Sequence, residues 1–229
     1  MDEKKTMHAS ADIRVVKCAD GLHYSFEMLE YIYAGLHETC ADMTTDKKSL
    51  IPALWRCWSF VDLVHRIREI AQALPGLSKK DANLMEFLAA SALAEDFRHY
   101  IQHLRKELSK REVDKFPVWG SLAWVDKADP ACCHTVMLGA RLENASYASA
   151  VFDRFEKRWV SKVSLSIGGR SFHFDPVFQA CQKFRAFIMP QTAAIYARGY
   201  QISLDPPVIT MRIANEGEYW GRAQLDQPL

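Results

Sequence analysis

Residues 95–106 read Glu95-Asp-Phe-Arg-His-Tyr-Ile-Gln-His-Leu-Arg-Lys106. At about 100° per residue, Gln102, Glu95, Lys106, His99 and His103 share an arc of about 140° with Arg98. Leu93, Phe97, Tyr100, Ile101, Leu104 and Leu108 take the opposing arc. The stretch is therefore read as a helix that buries one side and presents an arginine and two histidines on the other, with His99 and His103 as i,i+4 neighbours.

Working outward, Ser78 stands three residues before Asp81 as an acidic capping box, and one helix is expected from there to Lys110. Before it, a helix is expected to start after Ser49 and run to Leu74, with Pro52 tolerated in its first turn and Pro75-Gly76 as its stop. Its polar stripe holds Asp62, His65, Arg66 and Glu69, opposite Leu63, Val64, Ile67, Ile70 and Leu74. Two long helices joined by a short turn form an antiparallel hairpin. A first helix is read over Tyr24–Cys40, with Phe26, Leu29, Tyr31, Ile32 and Leu36 as its apolar members. Residues 1–20 are read as a polar leader.

After Phe116 the period changes from 3.6 to two. Val118–Val125, Thr135–Ala140, Trp159–Ile167 and Val208–Ile213 read as strands, and Gly168-Gly169 suits a hairpin turn into Ser171–Phe174. Pro176–Arg198 reads as a further helix that Pro190 should end or kink. The expectation is an α+β fold: a 1–20 leader, a helical bundle over 21–115, and a 116–229 extension carrying a smaller antiparallel sheet and one helix packed on the bundle.

Composition excludes several classes. Of 229 residues, 49% are hydrophobic and 25% charged, the profile of an ordinary globular protein. The 29 Lys+Arg against 28 Asp+Glu leave a net charge of +1, so no global field gathers nucleic acid or anionic lipid, and an anionic ligand needs a local patch. No apolar run reaches the roughly 18 residues of a membrane span, and the first twenty residues lack an apolar signal core. The six cysteines are scattered, three within segments read as helix, which suits reduced thiols and a cytoplasmic setting. Cys132-Cys133-His134 lacks a second ligand pair at zinc spacing, so no metal site and no cofactor is expected. G-x-S-x-G, H-E-x-x-H, P-loop and G-x-G-x-x-G motifs are absent from the chain.

The run Arg98-His99-Tyr100-Ile101-Gln102-His103, within a long helix that follows a long hairpin partner, resembles the motif of the HEPN superfamily. These are compact helical proteins often found in prokaryotic toxin-antitoxin and defence systems. The family pattern is Arg, a polar residue most often Asn, a few further positions and then His, so His99 is a less usual occupant. Leu54–Arg66 also looks like the second helix of uncharacterised bacterial proteins of this type, and the likeness covers residues 24–110. It implies a metal-independent endoribonuclease acting as a homodimer that brings two motifs into one cleft. His103 would then be the general acid-base group, Arg98 the phosphate clamp and stabiliser of transition-state charge, and His99 an assisting group. Asp62, His65, Arg66, Gln102 and Lys106 would line the cleft toward RNA.

Blander readings stand beside these. A bare Arg-x4-His arises by chance about once in every two chains of this composition. The stripe then serves as a solvated face, and Asp62, His65 and Arg66 as an interhelical salt-bridge set. Trp55 and Trp58 fall toward the polar side of their helix, where indoles stack unpaired bases or pack in a core or dimer. The alternative function is a non-catalytic HEPN-like module binding a protein partner, such as an antitoxin, or RNA.

Overall fold

The computed structural model describes residues 13–43, 47–109, 117–137, 151–153 and 156–196. Over these the chain is an α+β protein. Helix α1 (Ile13–Asp42) is followed by a 3-10 turn (Lys47–Ser49) and α2 (Leu50–Ala73), then by the short helices α3 (Ala82–Ala90), α4 (Ala92–Gln102) and α5 (Leu104–Leu108). Six strands follow: β1 (Ser121–Val125), β2 (Cys133–Met137), β3 (Phe152–Asp153), β4 (Arg158–Trp159), β5 (Val163–Ile167) and β6 (Arg170–His173). Helix α6 (Phe174–Tyr196) ends the described chain.

Helix α1 starts inside the stretch expected to be a polar leader. Val15, Ala19, Leu22, Phe26 and Leu29 are buried at helical spacing, a stripe that the flanking charges obscure. Tyr31, expected among the apolar members, is 74% exposed, and Leu108 of the third segment is also exposed. Helix α2 begins just after Ser49 and stops one residue short of Leu74, where Gly76 takes φ 86°. Ser49 makes no side-chain capping bond.

The single helix expected over 78–110 is three. Ser78 Oγ accepts only from Lys80 N (3.2 Å), and the true cap is Asp81, whose Oδ1 accepts from Asn83 N (2.8 Å) and Leu84 N (3.3 Å). The α3–α4 break sits at Ser91, whose hydroxyl donates to the Phe87 carbonyl (2.6 Å). Arg68, buried on α2, donates from Nη1 to the Leu88 carbonyl (2.5 Å) and to Ser91 Oγ (2.8 Å), and from Nη2 to Glu95 Oε2 (3.0 Å). A guanidinium thus caps the negative end of α3, and the helix stops there.

The main sheet is antiparallel throughout in the order β2-β1-β5-β6, and β3-β4 form a separate ribbon. Leu122, Leu165 and Phe172 are aligned across β1, β5 and β6. All three are buried on one face, and Phe172 meets Phe60 of α2 at 6.1 Å and Phe97 of α4 at 5.6 Å. Sheet and helices therefore share one aromatic core.

Gly168 and Gly169 make the expected turn with φ 55° and 76°, the type I′ geometry that matches strand twist. Gly120, before β1, has φ 83°, and a Cβ there would lie 2.5 Å from the Ser166 carbonyl. The strand expected over Trp159–Ile167 is split, because the amides of Lys162 and Val163 turn to Asp175 instead of to a neighbouring strand. Helix α6 starts two residues before Pro176 and runs through Pro190. Buried Phe184, Ile188 and Thr192 hold it on both sides of the proline, and Gln191 Nε2 donates to the Phe187 carbonyl (3.2 Å). The strand expected over Val208–Ile213, residues 138–140 of the second expected strand and residues 1–12 of the leader lie outside the described residues.

Candidate functional site

Helix α4 places Arg98 against α2. Asp62 Oδ1 pairs with Arg98 Nη1, and its Oδ2 accepts from Arg66 Nε at 2.5 Å, so one carboxylate holds two guanidiniums. Arg98 is half-buried and faces a groove; Arg66 lies on the groove's rim with its side chain largely exposed.

The remaining expected residues lie elsewhere. His99, Gln102, His103 and Lys106 are exposed, and none of them lines the groove. The imidazoles of His99 and His103 contact each other at 4.3 Å between centroids, as i,i+4 spacing requires. His103 itself leaves the helix, with φ −107° and ψ 22° at the α4–α5 junction. Glu95 is taken by Arg68. His65 is half-buried and its Nδ1 has no hydrogen-bond partner. Within one chain, then, the structure joins Arg98 with Asp62 and Arg66, and keeps the two histidines together on a separate surface.

The groove has a volume of about 1100 Å³. Helix α2 lines it through Ile51, Leu54, Trp55, Trp58 and Asp62, and α1 contributes Met28 and Tyr31 on one side. Ile101 of α4 and Trp119 line the other. Ile51 is 69% exposed and Trp55 60%. Tyr31, Trp55 and Trp119 add exposed aromatic surface to the same concavity, and apolar side chains gathered in one exposed place mark interaction sites more often than ones scattered singly. Angular counting put Trp55 and Trp58 on the polar side of α2, but not beside an open groove. The signal was there in the spacing of Ile51, Trp55, Trp58 and Asp62.

A second polar cluster, not foreseen from sequence, gathers on Asp175 in the first turn of α6. Its Oδ1 accepts from Tyr33 Oη (2.5 Å) and lies 3.3 Å from His37 Nε2. Its Oδ2 accepts from Ser161 Oγ (2.5 Å) and from the amides of Lys162 (2.5 Å) and Val163 (3.3 Å). Burial alone would raise this carboxyl, but the donors His37, Ser161, Tyr33 and Lys162 outweigh it and hold the pKa far below the usual carboxylate range. Burial, then the bond to Asp175, pushes the Tyr33 phenol well above its ordinary value. Ser161 is buried and bonds the carboxylate instead of an imidazole, so Ser161, His37 and Asp175 tie α1, β5 and α6 together and do not form a nucleophile triad.

The thiols of Cys57, Cys181 and Cys40 are buried and pushed up, Cys40 to about 12 by burial that Arg56 only partly opposes. His134 Nε2 bonds Asp126 Oδ2 (2.7 Å) across the β1–β2 hairpin. Among the described residues no three His, Cys, Asp or Glu side chains gather as metal ligands, and no helix is long and apolar enough to cross a membrane. Comparison with protein-family models, curated proteins and solved structures finds no match to this chain.

Proposed function

We propose that this chain is a non-catalytic helical binding module of HEPN-like type, which receives an apolar segment of a protein partner in the groove between α1, α2 and α4. The observation that supports this reading is the exposure of Tyr31, Ile51 and Trp55 around one concave surface. Interface hot spots are enriched in Trp, Tyr and Arg, and this groove offers all three side by side. A concave face is poorly self-complementary, as a two-fold pairing of identical patches needs, so a different protein fits it better than a second copy.

The endoribonuclease reading asks more of the chain. Phosphoryl chemistry by Arg98 and His103 needs both tips on one cavity, whereas Arg98 is paired with Asp62 in a groove that His103 does not line. The test is single-stranded RNA incubated with the full chain in the absence of divalent metal, with Arg98→Ala and His103→Ala in parallel. No product from any of the three is expected. Cleavage by the unsubstituted chain that both variants abolish would overturn the binding reading in favour of the nuclease.

A further inference from the structure

The groove's dimensions and the charge at one end specify its occupant more closely. We infer that it takes an amphipathic α-helix of about four turns that brings an acidic side chain to Arg98; this rests on the binding-module reading above. The stretch of α2 that lines the groove, from Ile51 to Arg66, spans about 22 Å of helix axis, the length of about fifteen helical residues. The groove lies along one helix with α1 on one side and α4 on the other, a furrow between three helices that a fourth completes. Helix-in-groove recognition anchors apolar side chains at i, i+4 and i+7 in such a furrow, and Ile51, Trp55 and Trp58 of α2 repeat at the matching spacing.

Charge fixes one end. Asp62 is the carboxylate shared by Arg66 and Arg98, and Glu27, which also lines the groove, is held by Arg185 of α6, outside it. At the opposite end the lining residues Ile51, Leu54 and Trp55 are uncharged. Two guanidiniums sharing one carboxylate leave a positive charge uncompensated at the Asp62 end, the charge that an acidic side chain of a docked helix meets. A carboxylate matches a guanidinium in charge and geometry.

The probe is a yeast-displayed library of 18-residue helical sequences, apolar at i, i+4, i+7 and i+11 and random elsewhere, sorted on the full chain, with the enriched peptides then synthesised. Sequences carrying Asp or Glu in one terminal turn are expected to dominate. Trp55→Glu should weaken their binding at least tenfold and Arg98→Ala about tenfold, with partial recovery in Arg98→Lys. Replacing the peptide's acid by Gln should remove the Arg98 effect. Melting curves on each variant separate loss of binding from loss of fold. If the peptides depend on Trp55 but select no acid and ignore Arg98, the acidic anchor is wrong while the binding-module reading stands. If no peptide depends on Trp55, or if a second copy covers Trp55 in solution, the reading itself falls.

Discussion

Replacing Asp175 by Asn keeps the shape of the side chain and removes its charge. The native carboxylate accepts from Tyr33, Ser161 and the amides of Lys162 and Val163, with His37 alongside. An amide has one acceptor oxygen, so whichever way Asn turns, its NH2 faces donors. Hydrogen bonds to a charged group contribute about 1.5–3 kcal/mol each, and the loss of the better part of two gives roughly 3–4 kcal/mol. For a chain of this size that is a fall in Tm of about 6–16 °C.

The same cluster predicts a pH dependence. The folded carboxyl lies far below its unfolded value of about 3.9, so its contribution is complete above that value and drains away as pH falls toward the folded pKa. A depression of about two pH units is already worth about 2.6 kcal/mol. Urea unfolding followed by tryptophan fluorescence from pH 7 to pH 2 should show the native chain losing stability below about pH 5 and the Asp175→Asn chain changing less. The gap between them should narrow toward pH 2. Parallel curves, or a Tm shift at pH 7 within 2 °C, would refute the assignment of Asp175 as the joint between α1, β5 and α6.

Other outcomes follow from single contacts. Arg68→Met strands the Leu88 carbonyl and Ser91 Oγ, so a loss of about 2–4 kcal/mol and faster amide exchange at the α3–α4 junction are expected; unchanged exchange there would remove Arg68 as the cap. Gly120→Ala forces a Cβ against the Ser166 carbonyl at positive φ and should cost about 2–4 kcal/mol in urea unfolding, an effect that a Gly120→Ala chain as stable as the native one would deny. Trp55→Glu should leave Tm within about 2 °C, because the indole is mostly in water, while fluorescence of a bound hydrophobic dye drops. Under native conditions at pH 8, a thiol reagent should label Cys18, Cys132 and Cys133 quickly, and Cys40, Cys57 and Cys181 only after unfolding; rapid labelling of all six would contradict the burial that raises the latter three.

What the sequence made legible was what local backbone chemistry decides. The start of α2, with Pro52 in its first turn, its stop before Pro75-Gly76 and the Gly168-Gly169 turn lie beside residues that restrict or free their own φ, and each lies where it was read. The break of the third helix was not legible, because the group that takes the Leu88 carbonyl comes from Arg68, twenty residues earlier. The Asp175 cluster was hidden for the same reason: Tyr33 is 142 residues away in the chain. Around Arg98, helical counting identified the neighbours along one helix and missed the carboxylate across from it, since periodicity gives a side chain's direction and not what it meets. The groove is the clearest case. Trp55 and Tyr31 carry the composition of core residues, and what leaves them in water is that no described element of this chain lies over them.

Amide hydrogen exchange on the full chain, with and without the helix recovered from the displayed library, decides whether the α1–α2–α4 groove is a docking site for a partner helix. Protection on binding should concentrate on α2 between Ile51 and Arg66 and on the facing turns of α1 and α4, and vanish in Trp55→Glu. Protection centred on the exposed His99–His103 surface instead, with the groove unchanged, would contradict it.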